Sequence, residues 1–144
     1  MKLNNLASLA ILSLIAMLST QALAHHSTTM FDREKVFTIT GTVQEVQWTN
    51  PHVAIFVSGL VGDSTTPTLW LMEMTSPGNL VRAGGWTRNV VKAGDKVVVN
   101  FSPLRNGTKG GALKKITLVD TGKFYTADIR AQESANLEER EQQK

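Results

Sequence analysis

Residues 36–48 alternate. Val36, Thr38, Thr40, Thr42, Gln44, Val46 and Trp48 share one parity, and Phe37, Ile39, Gly41, Val43, Glu45 and Gln47 share the other. A period of two in β-branched and aromatic residues predicts a long first strand, with Gly41 marking a bulge or a sharp bend within it. Asn50-Pro51 breaks the run, because proline has no N–H to give to a ladder and drives the residue before it out of helical conformations. Residues 52–57 resume as a second strand that ends near Ser58-Gly59, and residues 61–67 have the glycine, serine, threonine and proline content of a hairpin loop. In a third strand, residues 68–74, Trp70, Met72 and Met74 face one way and Leu71 and Glu73 the other. Residues 96–101 and 112–119 supply a fourth and a fifth strand, separated by a loop that carries Gly107, Gly110 and Gly111.

A short helix is predicted between the third and fourth strands. Ser76 is suited to cap it, Pro77 fits its first position, and Gly84-Gly85 stops it. Residues 87–91 form one further turn, and Ala93-Gly94-Asp95 turns tightly into the fourth strand. Five strands with a helix between the third and fourth is the layout of an all-β, OB-like barrel. An open meander or a small sandwich would use the same strands. The barrel domain is expected over residues 36–125, after an N-terminal arm of residues 25–35. Residues 126–144 carry Glu133, Glu138, Glu139, Arg140, Glu141 and Lys144 with few apolar residues, which predicts a solvated, disordered tail.

The start of the chain has a different pattern. Lys2 precedes an apolar run over residues 6–18, and Ala22-Leu23-Ala24 follows a short polar exit. This is the arrangement of a cleaved secretory signal peptide, residues 1–24, and the run is short of the roughly 20 residues a spanning helix needs. Cleavage after Ala24 would make His25 the new N-terminus, lower the formal charge from +3 to +2 by removing Lys2, and leave no stable membrane span. So small a charge, with no basic stripe, argues against nucleic acid as a partner. The absence of cysteine fits a periplasmic location better than a small disulfide-bonded extracellular module, and it removes thiolate chemistry altogether.

Several short motifs form an ordered set: Ala24-His25-His26-Ser27, Gly41-Thr42-Val43, Trp48-Thr49-Asn50-Pro51-His52-Val53, Trp70-Leu71-Met72-Glu73, Ser76-Pro77, Gly85-Trp86, Gly94-Asp95-Lys96-Val97 and Asp120-Thr121-Gly122. Together they resemble an uncharacterised family of small secreted proteobacterial proteins, a domain of unknown function. The resemblance runs from the signal peptide to about Tyr125. It implies export and a single domain, and it implies no activity.

The candidate chemistry gathers on three histidines. After cleavage, His25 would offer both its α-amine and its imidazole, and His26 or His52 a second imidazole. An amine with two imidazoles suits Cu(II), which favours nitrogen ligands in tetragonal geometry. The start is similar in this respect to secreted proteins with an N-terminal histidine brace, although only His25 matches that motif. Zinc is the second choice, and Met30, Met72 and Met74 carry thioethers suited to Cu(I). Glu73 is a carboxylate in an apolar strand and is expected to pair with Arg82 on the helix, since a shielded charge needs a partner. A ligand surface of Trp48, Asn50, Glu73, Arg82 and Trp86 would instead dock an envelope protein or glycan without a metal. The chain has no nucleophile elbow, phosphate loop, dinucleotide fingerprint or His-Glu-x-x-His motif. The expected function is therefore periplasmic binding, not catalysis.

Overall fold

The computed structural model describes residues 30–128 together with Gln132, Ser134, Glu141 and Gln142. Its elements are β1 (Phe37–Gln47), β2 (Ala54–Val61), β3 (Thr68–Glu73), α1 (Pro77–Ala83), β4 (Lys96–Pro103), β5 (Gly110–Leu118) and β6 (Phe124–Thr126). β1 pairs antiparallel with both β2 and β4, β2 with β3, and β4 with β5. A parallel pairing of Leu71–Glu73 with residues 110–112 closes the ring, giving the five-stranded OB-like barrel. β6 lies outside it. The edge of β5 that β3 uses at residues 110–112 is taken farther along, at residues 115–117, by β6. This sixth strand was not legible in the sequence.

Two bulges bend the barrel, and both have the same local pattern. In β1 the register with β2 slips between Val43 and Glu45, leaving Gln44 as the extra residue. In β5 the register with β4 slips as Lys115 pairs with Asn100 and Leu113 with Phe101, leaving Lys114 over. Each bulge sits between two inward apolar residues three apart, Val43 and Val46 in one case and Leu113 and Ile116 in the other. Two successive polar residues stand between each apolar pair, Gln44-Glu45 and Lys114-Lys115, and all four are exposed. A strict period of two would bury one of each pair, so the extra residue is what keeps both in water. The bend expected at Gly41 therefore has its register slip three residues later. Gly41 itself faces Gly59 across the β1–β2 ladder, where the two backbones come too close for any side chain. Gly59 is consequently inside β2, not at its end, and the strand runs on to Val61.

Inward residues of the barrel strands make the core, with Ile39 and Val43 from β1, Ile55 and Val57 from β2, and Phe101 from β4 among them. The helix adds Leu80 and Ala83, both buried. Ser76 Oγ accepts the Asn79 N–H at 3.3 Å, Pro77 follows it, and Gly84 ends the helix at φ 81°. Trp86 is 2 % exposed; its indole N–H donates to the Thr126 carbonyl at 2.7 Å, and its ring lies 5.3 Å from that of Tyr125. The Thr126 N–H donates to Gln132 Oε1 at 2.7 Å, and Gln132 is itself buried.

The turn into β4 is fastened to the β1 bulge. Val43 N–H donates to the Asp95 carbonyl and Gly94 N–H to the Val43 carbonyl, both at 2.9 Å. The Asp95 carboxylate accepts the Lys92 backbone N–H at 2.9 Å and its ammonium at 2.8 Å. Partial burial works to raise the Asp95 pKa, but those two hydrogen bonds and the Lys92 charge together hold it below the ordinary carboxylate value of 3.8. A depressed carboxyl contributes stability above its unfolded pKa and loses it as the pH falls through the folded one. Asp95→Asn is therefore expected to destabilise the domain by about 1 kcal/mol at neutral pH, and the deficit should close below pH 3.8. Urea titrations of both proteins from neutral pH to well below the ordinary carboxylate value of 3.8 measure it; a deficit constant across that range would contradict this role for the carboxylate.

Candidate functional site

The most chemically suggestive side chains meet where β1 ends, β2 begins and β3 ends. Trp48 packs half-buried against the core, and its carbonyl accepts a hydrogen bond from Arg88 Nη2 at 3.3 Å. Asn50 is exposed and joined to Pro51 by a cis peptide. Beyond the turn, Val53 N–H donates to the Thr75 carbonyl at 3.1 Å and Met74 N–H to the Val53 carbonyl at 2.9 Å, so the β2–β3 ladder continues past the end of either strand. Val53 and Met74 point inward. Alternation then sends His52 and Glu73 outward together.

His52 Nδ1 lies 2.9 Å from Glu73 Oε1, with side chains 36 % and 32 % exposed. Glu73 is opposite Ala54, so the contact is the diagonal one available to long side chains on neighbouring strands. The expected pairing of Glu73 with Arg82 is not what forms. Arg82 is exposed on α1, and its Nη1 donates to Asn79 Oδ1 at 3.3 Å, while Asn79 Nδ2 donates to Thr75 Oγ1 at 2.9 Å. The imidazole, carried just ahead of the adjacent strand, reaches the carboxylate instead.

A carboxylate on Nδ1 orients the ring and, in the neutral form, puts the proton on Nδ1 and the lone pair on Nε2. Histidines that bind metals commonly have such a partner, which also raises the basicity of the ligating nitrogen. Among the described residues no group of three or more His, Cys, Asp or Glu side chains comes together as a metal centre. His25 and His26 lie outside the described residues. Met72 and Met74 are core residues, 0 % and 5 % exposed, as their place on the inner face of the barrel requires. Trp86 does not belong to any surface. Its buried indole N–H needed an acceptor and found it in Thr126, so the expected surface reduces to Trp48, Asn50, Glu73 and Arg82.

A family model described as a family of unknown function, DUF6152, matches residues 12–114. The chain belongs to this family. The DUF6152 match takes in the His52–Glu73 contact, the helix and the first four strands with part of the fifth. No curated protein and no solved structure matches the chain, so the chemistry of this DUF6152 member has to be argued from its own residues.

Proposed function

We propose that the protein is an exported, periplasmic binding protein that takes a copper ion, with His25 supplying its α-amine and imidazole and His26 or His52 the further imidazole. The observation that supports this reading is the His52–Glu73 contact, an imidazole of the barrel already oriented by a carboxylate. Cu(II) is preferred because every donor invoked is nitrogen; zinc is the second choice. The role is binding and not catalysis, in keeping with the missing catalytic motifs.

The test is Cu(II) titration of protein beginning at His25, beside the same protein carrying one additional N-terminal residue. One-to-one binding that is lost on extension is the expected result. Within this reading, Glu73→Gln weakens copper about tenfold to a hundredfold if His52 supplies the second imidazole, and has no effect if His26 does. Equal, weak binding by the native and extended proteins would remove the proposal.

A further inference from the structure

The connection from β4 to β5 turns at Leu104, whose carbonyl accepts the Gly107 N–H at 3.2 Å. Arg105 and Asn106 occupy the middle of this turn, and Gly107 leaves it at φ 77°, the left-handed region that glycine enters without strain. The chain's one Asn-Gly pair therefore stands on an exposed tip. Thr108 holds the asparagine side chain from the far side of the glycine. It gives both its backbone N–H, at 3.0 Å, and its hydroxyl, at 2.7 Å, to Asn106 Oδ1. A backbone N–H can only donate, so the atom it meets is the amide oxygen, and the orientation of the amide is fixed.

That arrangement favours one reaction. Two hydrogen bonds on Oδ1 draw electron density from Cγ and stabilise the negative charge that develops on the oxygen when a nucleophile adds there. The Gly107 nitrogen is such a nucleophile, since its attack on Cγ closes a five-membered ring. It is also unobstructed: beyond the adjoining residues, nothing lies within 4 Å of the position a Gly107 Cβ would take. Other asparagines of the domain lack these conditions. Asn50 precedes a proline, whose nitrogen has no proton to lose. Asn100 is held in the β4 ladder, and the Asn79 amide is engaged at both ends, by Thr75 and Arg82. Asn89 is exposed but is followed by the β-branched Val90.

We propose that Asn106 is a site of spontaneous deamidation, at which the Gly107 backbone nitrogen displaces ammonia from the asparagine side chain with the assistance of Thr108. The Gly107 nitrogen gives up its proton and bonds to Cγ; the Cγ–Nδ2 bond breaks, and Nδ2 takes up a proton and departs as ammonia. Water then opens the cyclic imide at either carbonyl, leaving aspartate or isoaspartate. The hydrogen bond from Gly107 to the Leu104 carbonyl is released first, so the reaction runs through local opening of the turn. Either product adds a negative charge. Isoaspartate also adds a methylene to the main chain, two residues from the Phe31–Leu104 bridge, and the turn cannot reclose in its old register. The site is independent of the copper reading.

Folded protein without added metal is incubated at neutral and at mildly alkaline pH, and its peptides are then mapped by mass, with isoaspartate assayed separately. Conversion at Asn106 well ahead of Asn89 is expected, as a mixture of aspartate and isoaspartate. It should be faster at the higher pH, because the attacking nitrogen must lose its proton. Thr108→Ser keeps the hydroxyl and should convert at the parent rate. Thr108→Val loses it and should convert about tenfold more slowly, short of the ~10²–10³ that one such donor is worth in a water-excluded site. Circular dichroism verifies that each variant is folded. The proposal fails if Asn106 stays intact, if it converts no faster than Asn89, or if folded Thr108→Val converts as fast as the parent.

Discussion

Gly41→Ala is expected to lower the stability of the domain by about 3 kcal/mol or more, and Gly41→Val to leave it largely unfolded. A Cβ at position 41 would run into the Ser58 carbonyl oxygen and stand 2.7 Å from the Gly59 Cα. A Cβ at position 59 would meet the Thr40 carbonyl oxygen and stand 2.8 Å from the Gly41 Cα. Both obstacles are backbone, so no rotamer change relieves them, and β1 and β2 would have to separate where Gly41 faces Gly59. Overpacking that forces side-chain and backbone shifts typically costs about 1–3 kcal/mol, occasionally more; with both obstacles in the backbone, the cost here should be at least the upper figure. Against a total of about 5–15 kcal/mol, that is a large fraction. Gly78 is the control. It lies in the first turn of α1 with nothing within 4 Å of its Cβ position, and Gly78→Ala should stabilise by roughly 0.5–1 kcal/mol. Urea unfolding followed by circular dichroism compares the variants with the parent. If Gly41→Ala and Gly78→Ala moved the midpoint in the same direction, the close approach would not be real.

Trp86→Ala should have the next largest effect. Removing a buried aromatic side chain costs about 3–5 kcal/mol, and this one also leaves the Thr126 carbonyl without its indole donor. Trp86→Phe separates the two contributions, keeping most of the volume beside Tyr125 and losing the hydrogen bond, for about 1–2 kcal/mol. Tryptophan emission gives an independent check. The blue-shifted component expected of an indole 2 % exposed should vanish in both variants. Equal losses in Ala and Phe would mean that the hydrogen bond, not the packing, dominates.

The strands, the capped helix and their order follow from period, proline and glycine, because those signals are local. The same alternation misleads where it is broken. Residues 36–48 look like one uniform run, yet the buried set changes parity between Val43 and Val46. The clue is in the sequence as Val-Gln-Glu-Val, and again as Leu-Lys-Lys-Ile: two polar residues between apolar ones, where a regular strand has room for one. Glycines 41 and 59 are harder, since each is explained only by the other, across the ladder. The candidate site divides along the same line. That His52 and Glu73 leave the barrel on the same face depends on the β2–β3 register, which no single strand contains. Glu73 could be paired with Arg82 in sequence only because the helix follows so closely on its strand. Trp86 could be placed on a surface only while its acceptor, 40 residues away, was unknown. Lys35 and Arg105 likewise both reach Asp32, at 3.2 and 3.8 Å, beside the Phe31–Leu104 bridge, a contact between two loops with no pattern of their own.

The two hydrogen bonds at Thr126 have a consequence for how the molecule behaves among its own copies. Among the described residues β6 is the margin of the sheet, paired with β5 on one side only. Because the Ala127 N–H is given to the Lys114 carbonyl, Thr126 turns its own N–H and C=O the other way, toward the open side. There the first is held by Gln132 and the second by Trp86. A strand arriving from a neighbouring molecule would find that donor and acceptor occupied, and a strand of three residues leaves it little else to pair with. Unpaired margins are where sheets grow into aggregates; here a glutamine and a tryptophan side chain close the margin from within the same chain.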